Sequence, residues 1–383
     1  MLIFTLLLLL PHLIQSIKTK PVSTTLASKV VSAIMNSPLY GPIVGAARDT
    51  MVKTAIKSGI DWQGYANKME AAADWTEEVN KVLIEGSNVI TEEYYKEKFH
   101  GYEQGNLCMK AAIEQEIAGK AVGARNFPND GVRGEEILRS CFDNEIINLG
   151  GDLNHILKSN NGLGTSSPVL LVDMGCGTGT STRRLANLFP QPQVQLLGIE
   201  LSPYMVAIGR FLQREPVDWW VETITPDPRI RYQYGNIANT GLEDASADLV
   251  NFSLVLHELP QDATMRILTE AHRILKPGGT LIISEMDPES PGYLKLRANT
   301  MLFSVLRSTE PYLDEYFDLA PTLPTILADL GFPTVKISAA TGRHFCLVAT
   351  KAGFVDCRPS AKDRMLSDQH VASPFKGIKG SSK

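Results

Sequence analysis

Two apolar runs that end in carboxylates flank a glycine-rich segment, and together they could bind a molecule that contains a ribose. Residues 169–173 end in Asp173 and are followed by Gly175 to Gly179, with the pattern G-x-G-x-G. Glycines let the backbone approach a ligand closely, and the start of a following helix offers unpaired N–H groups. Residues 195–200 end in Glu200, which could accept both hydroxyls of a ribose.

The glycine spacing distinguishes this segment from the dinucleotide fingerprint. That fingerprint reads G-x-G-x-x-G, and the position that would complete it is Thr180. The pattern therefore disfavours an oxidoreductase that uses a nicotinamide cofactor.

The elements that must position these residues predict an α/β fold. Within residues 166–352, short apolar runs alternate with amphipathic segments, which is typical of βα units around a mostly parallel sheet. Residues 334–340 and 344–350 indicate two more strands joined by a short turn. Residues 49–165 form a mainly helical region that ends in a linker at 160–167. We expect residues 353–383, which have few apolar side chains, to be a disordered tail.

Three ordered motifs resemble those of one enzyme family. They are Asp173-Met-Gly-Cys-Gly-Thr-Gly, Gly198-Ile-Glu-Leu-Ser-Pro and Leu275-Lys-Pro-Gly-Gly-Thr-Leu. Together they are similar to class I S-adenosylmethionine-dependent methyltransferases of the small-molecule type that includes the ubiquinone and menaquinone methylases. The resemblance covers about residues 169–351. It implies a Rossmann-like seven-stranded sheet with a C-terminal antiparallel hairpin, and S-adenosyl-L-methionine as the cofactor.

The resemblance also implies roles for single residues. Asp173 would orient the methionine end of the cofactor, and Glu200 would hold its ribose. Asn236 stands where the family usually has an acid that reads the adenine, so its contact would lack charge assistance. Ser253 lies where the chain of relatives passes the reactive methyl group. The cofactor-binding candidates are Asp173, Gly175, Cys176, Gly177, Thr178, Gly179, Glu200, Leu201, Asn236, Ile237 and Ser253.

Charge and one short motif argue against a nucleic-acid substrate. The net charge of the 383-residue chain is −5, which lacks the basic footprint of nucleic-acid binding. Methyltransferases that modify amino groups of nucleic acids carry an acid or Asn, then Pro-Pro and an aromatic residue after the fourth strand. Residues 251–254 read Asn-Phe-Ser-Leu instead. We therefore predict a small-molecule acceptor.

The catalytic candidates are His257 and Tyr95. His257 lies at the start of a helix and faces the site in many relatives, so it could be a general base or a structural residue. Tyr95, with Tyr94 and Tyr102, belongs to an aromatic segment that could cover the cofactor and suit a sulfonium. The alternative is that this segment packs its aromatic rings on the core.

An insertion at residues 287–331 supplies further candidates for acceptor binding. It carries Arg307 and Tyr312, which could select the acceptor or belong to a dimer or packing surface. Either Arg307 or Arg125 could pair with a carboxylate of the acceptor.

Methyl transfer mainly requires alignment of the acceptor and exclusion of water, so a base is not compulsory. A heteroatom (S, N or O) of a small polar acceptor, such as a small sulfur compound or an amino acid, is slightly favoured. The alternatives are C- or O-methylation of a quinone or tocopherol precursor, and a non-catalytic partner protein that has the methyltransferase fold. The oligomeric state is left open.

The cysteines indicate neither a disulfide framework nor a metal site. Five cysteines are scattered through the chain, with no CxxC pair and no Cys/His cluster at the spacing of metal ligands. No metal is therefore expected from the sequence.

Residues 1–48 have the composition of a targeting presequence. Residues 2–14 are largely apolar, like the core of a signal peptide, and are too short to span a bilayer comfortably. Residues 17–48 contain Ser, Thr and Lys but no acid, as transit peptides do. The two parts together favour a plastid inside extra membranes. The alternative is a secretory signal followed by a linker.

Overall fold

The computed structural model describes residues 40–151, 168–217 and 223–353. Most of the predicted presequence (residues 1–39), the predicted linker at 160–167 and the predicted tail from residue 354 lie outside these residues. Within the described part, no helix combines the length and the apolar character needed to cross a bilayer.

The N-terminal region is helical, as predicted. Residues 40–151 contain the helices α1 (Tyr40–Lys57), α2 (Trp62–Ala71), α3 (Trp75–Glu85), α4 (Met109–Asn126) and α5 (Gly134–Asn148). Helices α2 and α3 begin where Asp61 and Asp74 accept hydrogen bonds from backbone N–H groups of the first turn.

The predicted boundary after residue 48 falls inside α1. Arg48 forms an ion pair with Glu114 of α4, so at this point the chain is already part of the helical layer. The folded region therefore begins before Arg48.

A seven-stranded sheet forms the second part of the fold. Its strands are β1 (Val169–Met174), β2 (Val194–Glu200), β3 (Ile230–Tyr234), β4 (Ala247–Ser253), β5 (Leu275–Met286), β6 (Thr334–Ala339) and β7 (His344–Thr350). Their order is β3-β2-β1-β4-β5-β7-β6. Strands β1 to β5 pair in parallel, whereas β7 is antiparallel to β5 and β6. The predicted Rossmann-like sheet with a C-terminal antiparallel hairpin is confirmed.

Helices pack on the sheet, and its central strands β1 and β4 are buried along nearly their whole length. These helices are α6 (Thr180–Leu188), α7 (Pro203–Leu212), α8 (Gln261–Ile274), α9 (Pro291–Ala298), α10 (Thr300–Thr309), α11 (Leu313–Leu319) and α12 (Leu323–Asp329). The strand order reverses between β1 and β4. Open α/β sheets bind ligands at the carboxyl ends of strands beside such a reversal.

The N-terminal helices share a hydrophobic core with the sheet region. Met205 and Ile208 of α7 pack in one buried cluster with Ile113 and Ile117 of α4. Trp75 of α3 meets Phe211 of α7 edge to face, with ring centroids 5.3 Å apart. The helical layer is therefore part of the support for the sheet.

Candidate functional site

The glycine-rich segment forms the turn between β1 and α6. Gly175, Gly177 and Gly179 have φ angles of 76°, 56° and 98°, a region in which side chains are strained. A Cβ at Gly177 would lie 2.4 Å from the Gln115 amide of α4. Gln115 also accepts a hydrogen bond from the Thr178 backbone N–H at 2.6 Å, and the Thr178 hydroxyl donates to the next residue of α4. Helix α4 thus holds the turn in place.

Asp173 joins three elements beneath this turn. Its carboxylate accepts hydrogen bonds from the hydroxyls of Ser181 and Thr182 on α6, at 2.7 and 2.6 Å, and from the Asn251 amide on β4 at 2.7 Å. Burial raises the pKa of Asp173, and these hydrogen bonds oppose the rise. The carboxylate therefore fixes the end of β1, while its contact with the methionine end of a cofactor stays a prediction.

Glu200 ends β2 and faces the same turn. It accepts hydrogen bonds from the Tyr95 hydroxyl at 2.5 Å, from the Ser202 backbone N–H at 2.8 Å and from the Gly177 backbone N–H at 3.0 Å. Burial raises the pKa of Glu200, and the bond from Tyr95 opposes this most strongly. The structure therefore brings together Tyr95, Glu200 and the glycine turn.

Asn236 follows β3 and is already engaged on both sides of its amide. Its oxygen accepts from the Ala238 backbone N–H at 2.8 Å, and its nitrogen donates to Glu92 at 3.0 Å. Glu92 in turn pairs with Arg266 at 2.8 Å. A contact between the Asn236 oxygen and an adenine would have to share this acceptor with Ala238.

The remaining cofactor candidates line the same edge of the sheet. Cys176, Leu201 and Ile237 are buried in the apolar layers. Ser253 ends β4, and its hydroxyl accepts a hydrogen bond from Arg139 of α5 at 2.8 Å. Arg139 was not among the predicted site residues, because nothing in the sequence around it indicates a contact with Ser253.

His257 lies just after β4, in a short 3₁₀ helix (Leu256–Glu258). Its Nδ1 atom is 2.9 Å from the Glu285 carboxylate at the end of β5. Burial lowers the pKa of His257, but the charge and hydrogen bond of Glu285 outweigh this and raise the pKa to about 10. As described, the imidazole is protonated at neutral pH and is poorly suited to accept a proton. Glu285 was missed, although the strand-end rule that identified Glu200 applies to it.

The structure brings three of the predicted aromatic residues together. The ring of Tyr94 meets that of Tyr95 edge to face, with centroids 6.5 Å apart, and that of Tyr312 in the same way at 6.4 Å. The aromatic segment that contains Tyr94 and Tyr95 (the lid segment) and the insertion at residues 287–331 therefore meet beside Glu200.

Two predicted acceptor residues have partners elsewhere. The Tyr102 hydroxyl donates to Glu114 of α4 at 2.6 Å. Arg307 forms an ion pair with Asp314, and its guanidinium lies over the ring of Phe303. In this structure both side chains are therefore engaged by nearby residues of the protein.

Arg125, by contrast, is not engaged by any side chain in the described ranges. Among the described residues it has no ion pair or side-chain hydrogen bond, although it lies near Tyr293, Arg343 and Glu310. Burial lowers the pKa of Arg125, yet the side chain remains accessible to solvent. An anion from solution can therefore reach this guanidinium. Arg343, in the turn before β7, was missed as a candidate.

Known proteins resemble the sheet region. Residues 172–283 match a family described as a methyltransferase domain. Carboxy-S-adenosyl-L-methionine synthase of Chromohalobacter salexigens is 33% identical over 30% of this chain and 38% of its own length. Demethylmenaquinone methyltransferase of Lactiplantibacillus plantarum is 28% identical over 39% of this chain and 58% of its own length.

The solved structures that the chain resembles include a human methyltransferase. Human N-acetylserotonin methyltransferase in complex with SAM superposes with a TM-score of 0.42 and 17% identity, covering 73% of this chain and 65% of its own. The chain thus spans about two fifths to two thirds of the length of these three relatives. The match over residues 172–283 confirms the predicted family for that part of the chain.

Proposed function

Residues 172–283 form a class I methyltransferase domain, and from this premise we propose that the protein transfers a methyl group from S-adenosyl-L-methionine to a heteroatom of a small anionic acceptor. In this proposal the carboxyl edge of the sheet binds the donor, and the Arg125 guanidinium binds the acceptor.

The donor site fits its ligand because Glu200 already accepts an O–H group. The Tyr95 hydroxyl makes the contact that a ribose hydroxyl would make, and a carboxylate offers further acceptor positions. When bound, S-adenosyl-L-methionine supplies a methyl carbon that is activated by a positively charged sulfur. The glycine turn lets the backbone come close to the donor, and the rings of Tyr94 and Tyr95 can exclude water and face a cation.

The free guanidinium of Arg125 is the observation that carries the acceptor class. An arginine that is surrounded by protein and has no ion-pair partner among the described residues favours an anion, and its planar fork matches a carboxylate. Arg343 lies close enough to add to this positive potential. A small sulfur compound or amino acid with a carboxylate would satisfy both arginines.

Mass spectrometry of the methylated product tests this proposal. The full chain would be incubated with isotope-labelled donor and a panel of small thiols, thioethers, amines and hydroxy acids, with and without a carboxylate. We expect label only on compounds that carry the carboxylate.

The variant Arg125→Met tests the acceptor contact. It should raise the KM for the labelled acceptor about 10- to 100-fold, because a hydrogen bond to a charged group contributes about 1.5–3 kcal/mol, and it should leave donor affinity unchanged. Arg133→Met, which removes an exposed arginine of the same region, is the control. An unchanged KM in Arg125→Met, or label on a neutral quinone instead, would contradict the proposed acceptor class.

A further inference from the structure

Two imidazoles and two carboxylates converge beside the donor site. His100, His257 and Glu258 place one ligand atom each within 4.8 Å of one another. Glu310, at the end of the insertion helix α10, brings its Oε1 atom to 3.0 Å from the His100 Nε2 atom. Glu258 Oε1 lies 3.7 Å from the same nitrogen. These groups lie in three separate stretches of the chain, around His100, after β4 and after α10, and they meet only when all three are folded.

The Glu310 carboxylate has one oxygen without a partner. The Glu310 side chain is only 8% exposed, and among the described residues its Oε2 atom is buried and makes no hydrogen bond. A buried carboxylate oxygen without a partner costs stability, because it has lost water and gained nothing. An ion pair between His100 and Glu310 leaves this oxygen unsatisfied, whereas a cation shared by the cluster would satisfy it.

Residues behind His257 and Glu258 hold their side chains in place, as residues behind metal ligands usually do. His257 uses Nδ1 for Glu285, which leaves Nε2 for the cluster. Glu285 is itself held by the backbone N–H groups of Leu256 and Met286, at 2.8 and 2.7 Å. A carboxylate behind an imidazole fixes the orientation of a metal-binding histidine. Asn106 holds the other oxygen of Glu258 at 3.1 Å.

We propose that His100, His257, Glu258 and Glu310 bind a divalent transition-metal ion, with zinc as the ion that this mixture of imidazole and carboxylate ligands suits best. Both imidazoles bind the ion in their neutral form, so binding releases their protons. Two carboxylates then balance the charge of the ion, and imidazole disfavours magnesium and calcium.

The ligand atoms of His100, His257 and Glu258 lie within 4.8 Å of one another and must move closer by roughly 1 Å to bind one ion, while Glu310, which is outside this group and 3.0 Å from His100, must move further. Tetrahedral zinc with bonds of about 2.0–2.2 Å holds its ligand atoms roughly 3.3–3.6 Å apart. His100 can supply this movement, because its side chain is 40% exposed and lies in a loop. Its backbone is in the left-handed region, with φ of 50°.

The position of the ion would link it to the reaction. Tyr95 and Glu200 are near enough to Glu258 to interact with it electrostatically, so the ion would lie beside the donor. If a bound ion expands its coordination, an oxygen or sulfur atom of the acceptor could bind it, which is a role that rests on the proposed function. The metal site itself does not depend on that role.

Metal binding to the full chain tests the inference directly. Protein treated with a chelator would be titrated with Zn²⁺ by calorimetry and with Co²⁺ by visible absorption, and bound metal would be counted by elemental mass spectrometry. We expect about one ion per chain. His100→Asn and Glu310→Gln should each weaken binding at least 10- to 100-fold, the loss seen when even residues behind the ligands are changed. Asparagine suits the left-handed backbone at position 100.

Glu103→Gln is the matched control, because Glu103 is an exposed carboxylate of the same loop and should bind metal like the unaltered protein. Donor affinity, measured on the same samples, separates this inference from the proposed function. The metal site would be refuted if folded protein bound no ion, or if all three variants bound it equally. Absence of donor binding in protein that still binds the ion would instead contradict the proposed function.

Discussion

At the level of single residues, Glu200 connects the glycine turn, the lid segment and β2. Its carboxylate is buried and accepts hydrogen bonds from two backbone N–H groups and from the Tyr95 hydroxyl. This network fixes the carboxylate before any ligand arrives, so the Tyr95 hydroxyl is the one group of the network that has to move when a ribose binds.

Replacing Glu200 by alanine should weaken the binding of S-adenosyl-L-methionine by about 2–4 kcal/mol, because charge-assisted hydrogen bonds contribute about 1.5–3 kcal/mol each and water compensates in part. Isothermal titration calorimetry measures the change. Glu215→Ala, which removes an exposed carboxylate after α7, should bind the donor normally. A folded Glu200→Ala protein with full affinity would show that the carboxylate does not hold the donor.

The sequence predicted Glu200 correctly as a strand-end carboxylate because the strand pattern is local. It could not predict the partners of Tyr102 and Arg307, because Glu114 and Asp314 reach them only through tertiary packing. The cluster around His257 could not be predicted for the same reason, because nothing in the sequence indicates that His100 and Glu310 lie beside His257.

At the level of elements, the antiparallel strand β7 carries a buried histidine at its start. The ring of His344 packs edge to face on Phe142 of α5, with centroids 5.6 Å apart, and its Nδ1 atom lies 2.9 Å from the Thr341 hydroxyl. Burial lowers the pKa of His344 to about 4. The imidazole is therefore neutral in the folded protein under ordinary conditions.

This histidine should make the fold sensitive to acid. The unfolded chain takes up a proton at His344 as the pH falls below its ordinary pKa of 6.5, whereas the folded chain does so only near 4. Stability is therefore lost as the pH falls through this window, by about 2 kcal/mol between pH 7 and pH 5. Urea unfolding at the two pH values measures it. His344→Gln should lose correspondingly less stability, and an equal loss in both proteins would refute the assignment.

The elements themselves show where local pattern suffices. The hairpin of β6 and β7 was predictable from two apolar runs around Thr341, Gly342 and Arg343. The packing of α4 on the glycine turn was not predictable, because the hydrogen bond from the Thr178 backbone N–H to the Gln115 side chain joins residues whose types alone do not indicate a contact.

At the level of the whole molecule, the helical region and the sheet region depend on each other. Helix α7 buries Met205 and Ile208 against α4, and Arg183 of α6 pairs with Glu116 of α4 at 2.6 Å. Removal of the helical region would expose this apolar face and leave Arg183 without its carboxylate.

A fragment of residues 168–353 should therefore be insoluble or only partly folded, because exposed apolar surface of this kind promotes aggregation. The comparison is a fragment of residues 40–353, which keeps α1 to α5 and should be soluble with a cooperative unfolding transition. Circular dichroism and size-exclusion chromatography measure both. A monomeric, cooperatively folded short fragment would mean that the sheet region is an independent domain.

We also propose that the segment before the helical region is a targeting presequence. A fusion of residues 1–48 to a fluorescent reporter should leave the cytosol, and a fusion of residues 1–16 alone should stop in the secretory system, because only the longer segment adds the acid-free, transit-like part. Fluorescence microscopy distinguishes the two.

Because Arg48 belongs to α1 and pairs with Glu114, we expect the mature N-terminus to lie before Arg48. A diffuse cytosolic signal from the longer fusion would contradict the targeting role.

The contact between Tyr95 and Glu200 has a kinetic consequence. Tyr95 must give up this carboxylate when a ribose takes its place, and it can return only after the demethylated product, which carries the same ribose, has left. We therefore expect product release to limit turnover, with a burst of methylation in the first cycle and strong inhibition by S-adenosylhomocysteine. Quenched-flow measurements would detect the burst. Tyr95→Phe, which has no hydroxyl to return, should release product more slowly and turn over at a lower steady rate.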